Sequence, residues 1–265
     1  MKKPSGVSIL FAVALFLTGC ASSRDRSEGP VELSVFAAAS LQDVLRPVAA
    51  QYETSHQTKI VFNFASSNTL AQQILYGARA DLFFSADEIQ MNLVAEEGLL
   101  KDNSRVDLLS NRLVIIAPAD SKTAVKEPRD LLDSRFRRLS LGDPQAVPVG
   151  VYARKYLEAL GLWEELKKRV VPAPNTRAAL ALVASGAAEA GIVYQSDALM
   201  TDKVKILYQA TEPAAPRICY PVAILRSSTQ SDEAQQVLEF CRTPAAARIF
   251  ERYGFILLDQ GGTNE

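Results

Sequence analysis

Two short stretches of the chain carry the residue types that hold small anions. Phe36-Ala37-Ala38-Ala39-Ser40 runs straight into the helical pattern that starts at Leu41, and Phe64-Ala65-Ser66-Ser67-Asn68 runs into one that starts at Thr69. Both place small residues and a hydroxyl where a helix begins. A helix start leaves backbone N–H groups without intrahelical acceptors and carries a partial positive charge. Small side chains let an anion approach that backbone, and serine adds an O–H donor. Serine is also an ordinary helix cap, so one junction alone reads as a capped helix start; it is the pair that brings an anion site level with that reading.

The second half offers similar starts. Pro148-Val149-Gly150 opens one helical tract and Asn175-Thr176 another. Tyr194 ends the apolar run Gly191-Ile192-Val193-Tyr194, so its phenol is either a core ring or a donor at a strand tip. Arg154 and Arg177 lie inside these helical tracts and read as solvated or paired at the surface. Asp143, in Gly-Asp-Pro, reads as a turn residue.

Enzyme chemistry finds little support. There is one histidine, His56, in the polar stretch Ser55-His56-Gln57-Thr58, and it reads as exposed and inert. A serine hydrolase using Ser40 or Ser67 would need it as base. The Gly-x-Ser-x-Gly, Gly-x-Gly-x-x-Gly and P-loop motifs are absent. The three cysteines include no Cys-x-x-Cys pair, which argues against structural zinc. Cys219 and Cys241 read as buried free thiols, with a disulfide as the alternative.

The elements that position these residues alternate along the chain. Strand patterns fall at 31–36, 59–64, 81–85, 111–117, 139–142, 170–171, 190–194, 203–208 and 218–225. Helical patterns fall at 41–52, 69–76, 149–160 and 176–184, and Asp87 is placed to cap a further one that runs to Gly98. The tract 232–253 contains Pro244 and reads as two helices. Alternation of this kind predicts an α/β fold with parallel sheets covered on both faces, here in two lobes. Ligands of such folds sit at the carboxyl ends of strands.

At 265 residues, 48% hydrophobic and 22% charged, the chain is long enough for two cores and is not disordered as its main state. The net charge of −1 argues against a basic nucleic-acid binder. Residues 1–19 read as a signal peptide: Lys2 and Lys3, an apolar run from Val7 to Leu17 too short to span a bilayer, then Thr18-Gly19-Cys20. Cys20 stands where a bacterial lipoprotein is lipidated. Cleavage before it would remove Lys2 and Lys3 and move the charge to −3. Residues 20–30 read as a polar tether.

Taken together, the motifs resemble the periplasmic molybdate-binding proteins of ABC transporters, the ModA family. The matching stretches are VFAAASL (35–41), FASSNTLA (64–71), ADLFFSAD (80–87), LVIIAP (113–118), GDPQAVPVGVYA (142–153), AALALV (178–183), GIVYQSDA (191–198), YPVA (220–223) and IFERYGF (249–255). They cover essentially all of residues 31–256. The resemblance implies a two-lobed periplasmic solute-binding protein fold of type II, each lobe a mostly parallel sheet flanked by helices, with the ligand in the cleft. Lobe 1 would comprise 31–112 and 219–265, and lobe 2 would comprise 113–218. It implies an extracytoplasmic, lipid-anchored, monomeric receptor for molybdate and tungstate that is not an enzyme, needs no cofactor and serves a membrane ABC permease. Carried over by position, Ser40 and Ser67 would each give a hydroxyl and an N–H, Val149 and Thr176 an N–H, and Tyr194 its phenol. Molybdenum would thus be held through its oxygens, with no direct metal ligand. Asn68 departs from the family's usual serine.

Overall fold

The computed structural model describes residues 29–211 and 213–258. The expected signal peptide, Cys20 and all of the tether but its last two residues lie outside the described residues. In chain order the strands are β1 (Val31–Ala38), β2 (Thr58–Ala65), β3 (Leu82–Phe84), β4 (Val106–Ser110), β5 (Leu113–Pro118), β6 (Leu139–Gly142), β7 (Val170–Ala173), β8 (Ala190–Tyr194), β9 (Val204–Gln209), β10 (Tyr220–Ile224) and β11 (Ile256–Leu257). The α-helices are α1 (Gln42–Glu53), α2 (Ser67–Leu75), α3 (Glu88–Glu96), α4 (Pro148–Ala159), α5 (Trp163–Leu166), α6 (Thr176–Ala184), α7 (Gln195–Ala198), α8 (Ser231–Cys241) and α9 (Pro244–Arg252). Pro244 starts α9 at the position where a missing N–H costs nothing, which divides the C-terminal helical tract in two. Among the described residues no helix is long and apolar enough to cross a membrane.

The strands form two sheets, ordered β11-β4-β10-β3-β1-β2 and β7-β6-β8-β5-β9. Helices flank both, giving a two-lobed α/β architecture. The chain leaves the first sheet after Ser110 and enters the second at Leu113; it leaves the second after Gln209 and rejoins the first at Tyr220.

Most strands of each sheet run in one direction, as expected, but each sheet is mixed rather than wholly parallel. Parallel pairing is confined to β1 with β2 and β3, and β6 with β7 and β8. The antiparallel pairs are made by β5 and β10, the strands that enter a lobe from the other one, and by β11 against β4; β4 and β9 run with the parallel strands. Strand–helix alternation reports only the crossover-linked strands. A strand entering a lobe from the other one has no helix to reverse it, so it runs the opposite way. β4, which carries charge in the sequence Val106-Asp107-Leu108-Leu109-Ser110, escaped the strand pattern entirely.

Apolar burial fixes both halves. Leu33, Val35, Leu82 and Val222 of the first sheet and Leu139, Leu141, Ile192 and Ile115 of the second belong to one extended cluster. Phe36, Leu70, Phe83 and Met91 pack under α2 and α3, and Ile116, Ala179, Val183 and Val193 under α6. Cys219 and Cys241 are buried and unpaired. Their surroundings push both thiols up to about 12, mainly by desolvation. His56 is half-buried rather than exposed. Its ring stacks on Tyr52 at 3.8 Å and its Nδ1 lies 2.9 Å from the Tyr52 carbonyl.

Candidate oxyanion site

The parallel strands aim their carboxyl ends at one place. β1 ends at Ala38 and gives way to a 3-10 turn (Ala39–Leu41) that holds Ser40, and β2 ends at Ala65 just before α2. On the opposite lobe β6 leads through the Asp143 turn to α4, and β7 leads to α6. Asp143 closes that turn, its carbonyl accepting from Val147 N and its Oδ1 from Gln145 N. β8 brings Tyr194 to its tip.

Between the lobes lies a small, narrow cavity. Ser40, Ser67, Val149, Thr176 and Tyr194 all line it, together with Ala38, Ala39, Ser66, Ala86, Val147, Pro148 and Asn175. The structure therefore brings together every residue expected of an oxyanion site. No lining side chain carries a charge. His56 is not among them, so none of the cavity's three serines has a histidine beside it.

Local bonding decides which donors remain for a ligand. Ser67 is fully buried, and its Oγ accepts from Ala86 N at 2.8 Å. That bond occupies a lone pair and leaves the hydroxyl proton free. Ser40 Oγ and Tyr194 Oη are buried without a well-formed hydrogen bond, although Tyr220 stands close enough to Ser40 to feel its hydroxyl. Burial holds the Tyr194 phenol far above its usual range, so it stays a donor. Thr176 donates its hydroxyl to Asp197 at 2.7 Å, which turns that group away from the cavity and leaves the Thr176 N–H. Asn175 caps α6 by accepting from Ala178 N at 2.9 Å, so the first N–H groups of that helix stay uncommitted. α4 has no side-chain cap, and its first residue is Pro148. Its earliest free donor is therefore the N–H of Val149.

Glycine permits the close packing that sets α4 in place. A Cβ on Gly150 would lie 2.0 Å from the Gly142 carbonyl oxygen. The start of α4 is thereby pressed against the end of β6, and Val149 is nearly inaccessible.

The sequence matches the family model for bacterial extracellular solute-binding proteins over residues 33–256. The chain belongs to that family, in its ModA branch. The molybdate-binding protein ModA of Escherichia coli is 38% identical over 256 residues, covering 94% of this chain and 97% of its own. A Bacillus subtilis protein named as an ABC transporter substrate-binding lipoprotein is 35% identical over 244 residues, 91% of this chain and 93% of its own. The solved periplasmic molybdate-binding protein of Azotobacter vinelandii superposes with a TM-score of 0.77 at 25% identity, over 85% of this chain and 99% of that one. Members of this family capture solutes and do not transform them, which retires the hydrolase alternative.

Around the cavity this solute-binding protein has features that sequence reasoning missed. Asp197, at the start of the short α7, is fully buried; it accepts from Thr176 and pairs with Arg177 Nε at 3.1 Å. Desolvation outweighs those partners and raises its carboxyl to about 6. Asp87, also buried, caps α3 as expected, accepting from Gln90 N at 2.9 Å, and desolvation raises it to about 6. Arg177 is not a free surface cation: it reaches Asp43 on α1 as well as Asp197. Arg154 does stay on the surface, paired with Glu158 and lying over Trp163. Asn111, where the chain passes between lobes, donates to Ser196 at 2.8 Å and to Tyr220 at 3.3 Å. Ala86 was findable, since Ser85-Ala86-Asp87 is another small-residue strand-to-helix junction. Asp197 was not, because its role depends on partners distant in sequence.

Proposed function

We propose that this protein is the extracytoplasmic receptor that captures molybdate, and tungstate with little discrimination, and delivers it to an ABC permease in the membrane. The single observation that carries the reading is the interlobe cavity. It is uncharged, is lined by helix starts from both lobes, and contains two buried hydroxyls, on Ser40 and Tyr194, with no well-formed hydrogen bond. Buried donors without acceptors are costly, and a ligand rich in acceptors removes the cost.

A tetrahedral dianion supplies only acceptors. Ser40 and Ser67 would each offer a hydroxyl and an N–H, Val149 and Thr176 an N–H, and Tyr194 its phenol. Hydrogen bonds to a charged partner contribute about 1.5–3 kcal/mol each, and helix N-termini add to them. The donor set also accounts for selectivity. Protonated phosphate brings an O–H that would find no acceptor here, leaving an unmet pair. Sulfate is smaller than molybdate and would span the same donors less well. The molybdate-binding names of relatives such as the Escherichia coli protein support the same ligand.

Delivery requires the protein to stay near its permease. Cys20 after the apolar leader would hold it there by a lipid, and the lipoprotein name of the Bacillus subtilis relative supports this. The lobes would comprise residues 31–112 with 219–265, and 113–218, hinged where the chain crosses between them. Calorimetric titration of ligand-free soluble protein with molybdate, tungstate, sulfate and phosphate tests the reading. Tight binding of the first two alone is expected. Preference for sulfate or phosphate would overturn the ligand, and no binding of any would overturn the receptor.

A further inference from the structure

Arg177 follows the site residue Thr176 directly on α6, yet it does not line the cavity. Its guanidinium crosses the cleft instead. Nη2 lies 2.6 Å from Asp43 Oδ2 on α1 of the other lobe, and Nε lies 3.4 Å from the Ala39 carbonyl beside Ser40. From behind, the same guanidinium is held by Asp197 of its own lobe at 3.1 Å. Asp197 is in turn fixed by the Thr176 hydroxyl and is wholly inaccessible. The contact thus spans from the first turn of α1 to that of α6, the helices next to Ser40 and Thr176.

We infer that Arg177 and Asp43 form an interlobe latch that sets the balance between the open and closed forms, and through it the rate of ligand release. The inference rests on the oxyanion reading for its ligand, but not for its geometry. An exposed ion pair between flexible side chains contributes little, because ordering both ends offsets the attraction. Here one end is already ordered: the buried Asp197 presets the planar guanidinium, so closing the latch costs mainly the freedom of the short Asp43 side chain. The pair is partly exposed, with side-chain accessibilities of 26% for Arg177 and 37% for Asp43. Its contribution is therefore modest and sensitive to salt. A contact made only when the lobes are together favours the closed form, and it raises affinity by as much as it shifts that balance.

Asp43 is the arm to change, since replacing Arg177 would strand a buried carboxylate. With Asp43→Ala, the molybdate dissociation rate should rise about two- to fivefold, the worth of a partly exposed pair, while the association rate changes little. Asp43→Lys should raise it further. A purely structural role would instead lower the melting temperature of the ligand-free protein without altering the dissociation rate. Equal dissociation rates in wild type and Asp43→Ala, with both binding, would overturn the latch. If the wild type binds no oxyanion, the oxyanion reading fails, and the latch is still tested by small-angle scattering of the ligand-free proteins. There Asp43→Lys should be more open than wild type at low salt, with the gap closing as salt is added. Identical profiles would overturn the latch.

Discussion

Thr176 Oγ1 donates to Asp197 Oδ2 at 2.7 Å, and both residues are buried. The Thr176 hydroxyl is spent on a carboxylate behind the site, which leaves the backbone N–H, the donor the resemblance implies, for a ligand. Thr176→Val keeps the shape and the backbone N–H. It should leave oxyanion affinity within about threefold, yet lower folding stability by about 1–3 kcal/mol, because Asp197 loses a hydrogen bond in a dry place. Calorimetric titration and thermal unfolding separate the two effects. A large affinity loss would mean that the Thr176 hydroxyl, and not its N–H, meets the ligand.

Ser40 and Tyr194 make the opposite case. Their hydroxyls are buried without a well-formed bond, so removing them costs the ligand-free protein little. Tyr194→Phe and Ser40→Ala should each weaken molybdate binding about 10- to 100-fold, the worth of one charge-assisted donor, with melting temperatures close to wild type. Unchanged affinity in both would remove these hydroxyls from the site.

Ser67 should behave differently from both, because its Oγ already accepts from the Ala86 N–H. Ser67→Ala would take a ligand donor and also leave that buried N–H without an acceptor. We expect weakened binding together with a stability loss of about 1–3 kcal/mol in the ligand-free protein. Stability equal to that of Ser40→Ala would contradict the bond.

Gly150 tests how α4 is held. A methyl there would meet the Gly142 carbonyl at 2.0 Å and the Asp143 carbonyl oxygen at 2.6 Å, both backbone atoms that cannot swing aside. Gly150→Ala should push the start of α4 outward, costing about 1–3 kcal/mol of stability and most of the affinity, since Val149 moves with it. Near-normal binding would show that the Val149 N–H tolerates displacement.

Asp87 carries a pH signature. Its folded carboxyl is raised to about 6, mainly by desolvation, from 3.8. A raised carboxyl favours the protonated folded state. The stability it gives is therefore complete below about pH 4 and is lost as pH rises toward and past 6. Asp197 works in the same direction. Asp87→Asn keeps a cap acceptor and removes the charge. It should raise stability by up to about 3 kcal/mol at pH 7.5, by about a third of that at pH 4.5 and by almost nothing at pH 3. It should also tighten binding of a dianion at pH 7.5, since a nearby negative charge is gone. A pH-independent difference between variant and wild type would refute the shift.

Local signals along the chain set its elements and the cast of the site. Period-two and helical spacing, the capping Asp87 and Asn175 and the split at Pro244 are set by neighbours a few residues apart, and such signals survive without a fold. The same holds for the helix starts at Ser40, Ser67, Val149 and Thr176, since a free N–H is a property of any helix start. How those pieces face one another depended on contacts between distant parts of the chain. β4 is invisible as a period because its partners are β10 and β11, far along the chain, and pairing rather than pattern makes it a strand. The antiparallel crossing strands follow from chain direction at the hinge, which composition does not encode. Which hydroxyls keep a proton for a ligand was likewise a tertiary matter: Thr176 gives its own to Asp197, 21 residues on, whereas Ser67 only accepts from Ala86, 19 residues on, and keeps its own. Arg177 reads as a surface cation until Asp197 is buried behind it and Asp43 is brought across the cleft. Hydrogen bonds act over about 3 Å, so their partners exist only once the chain has folded.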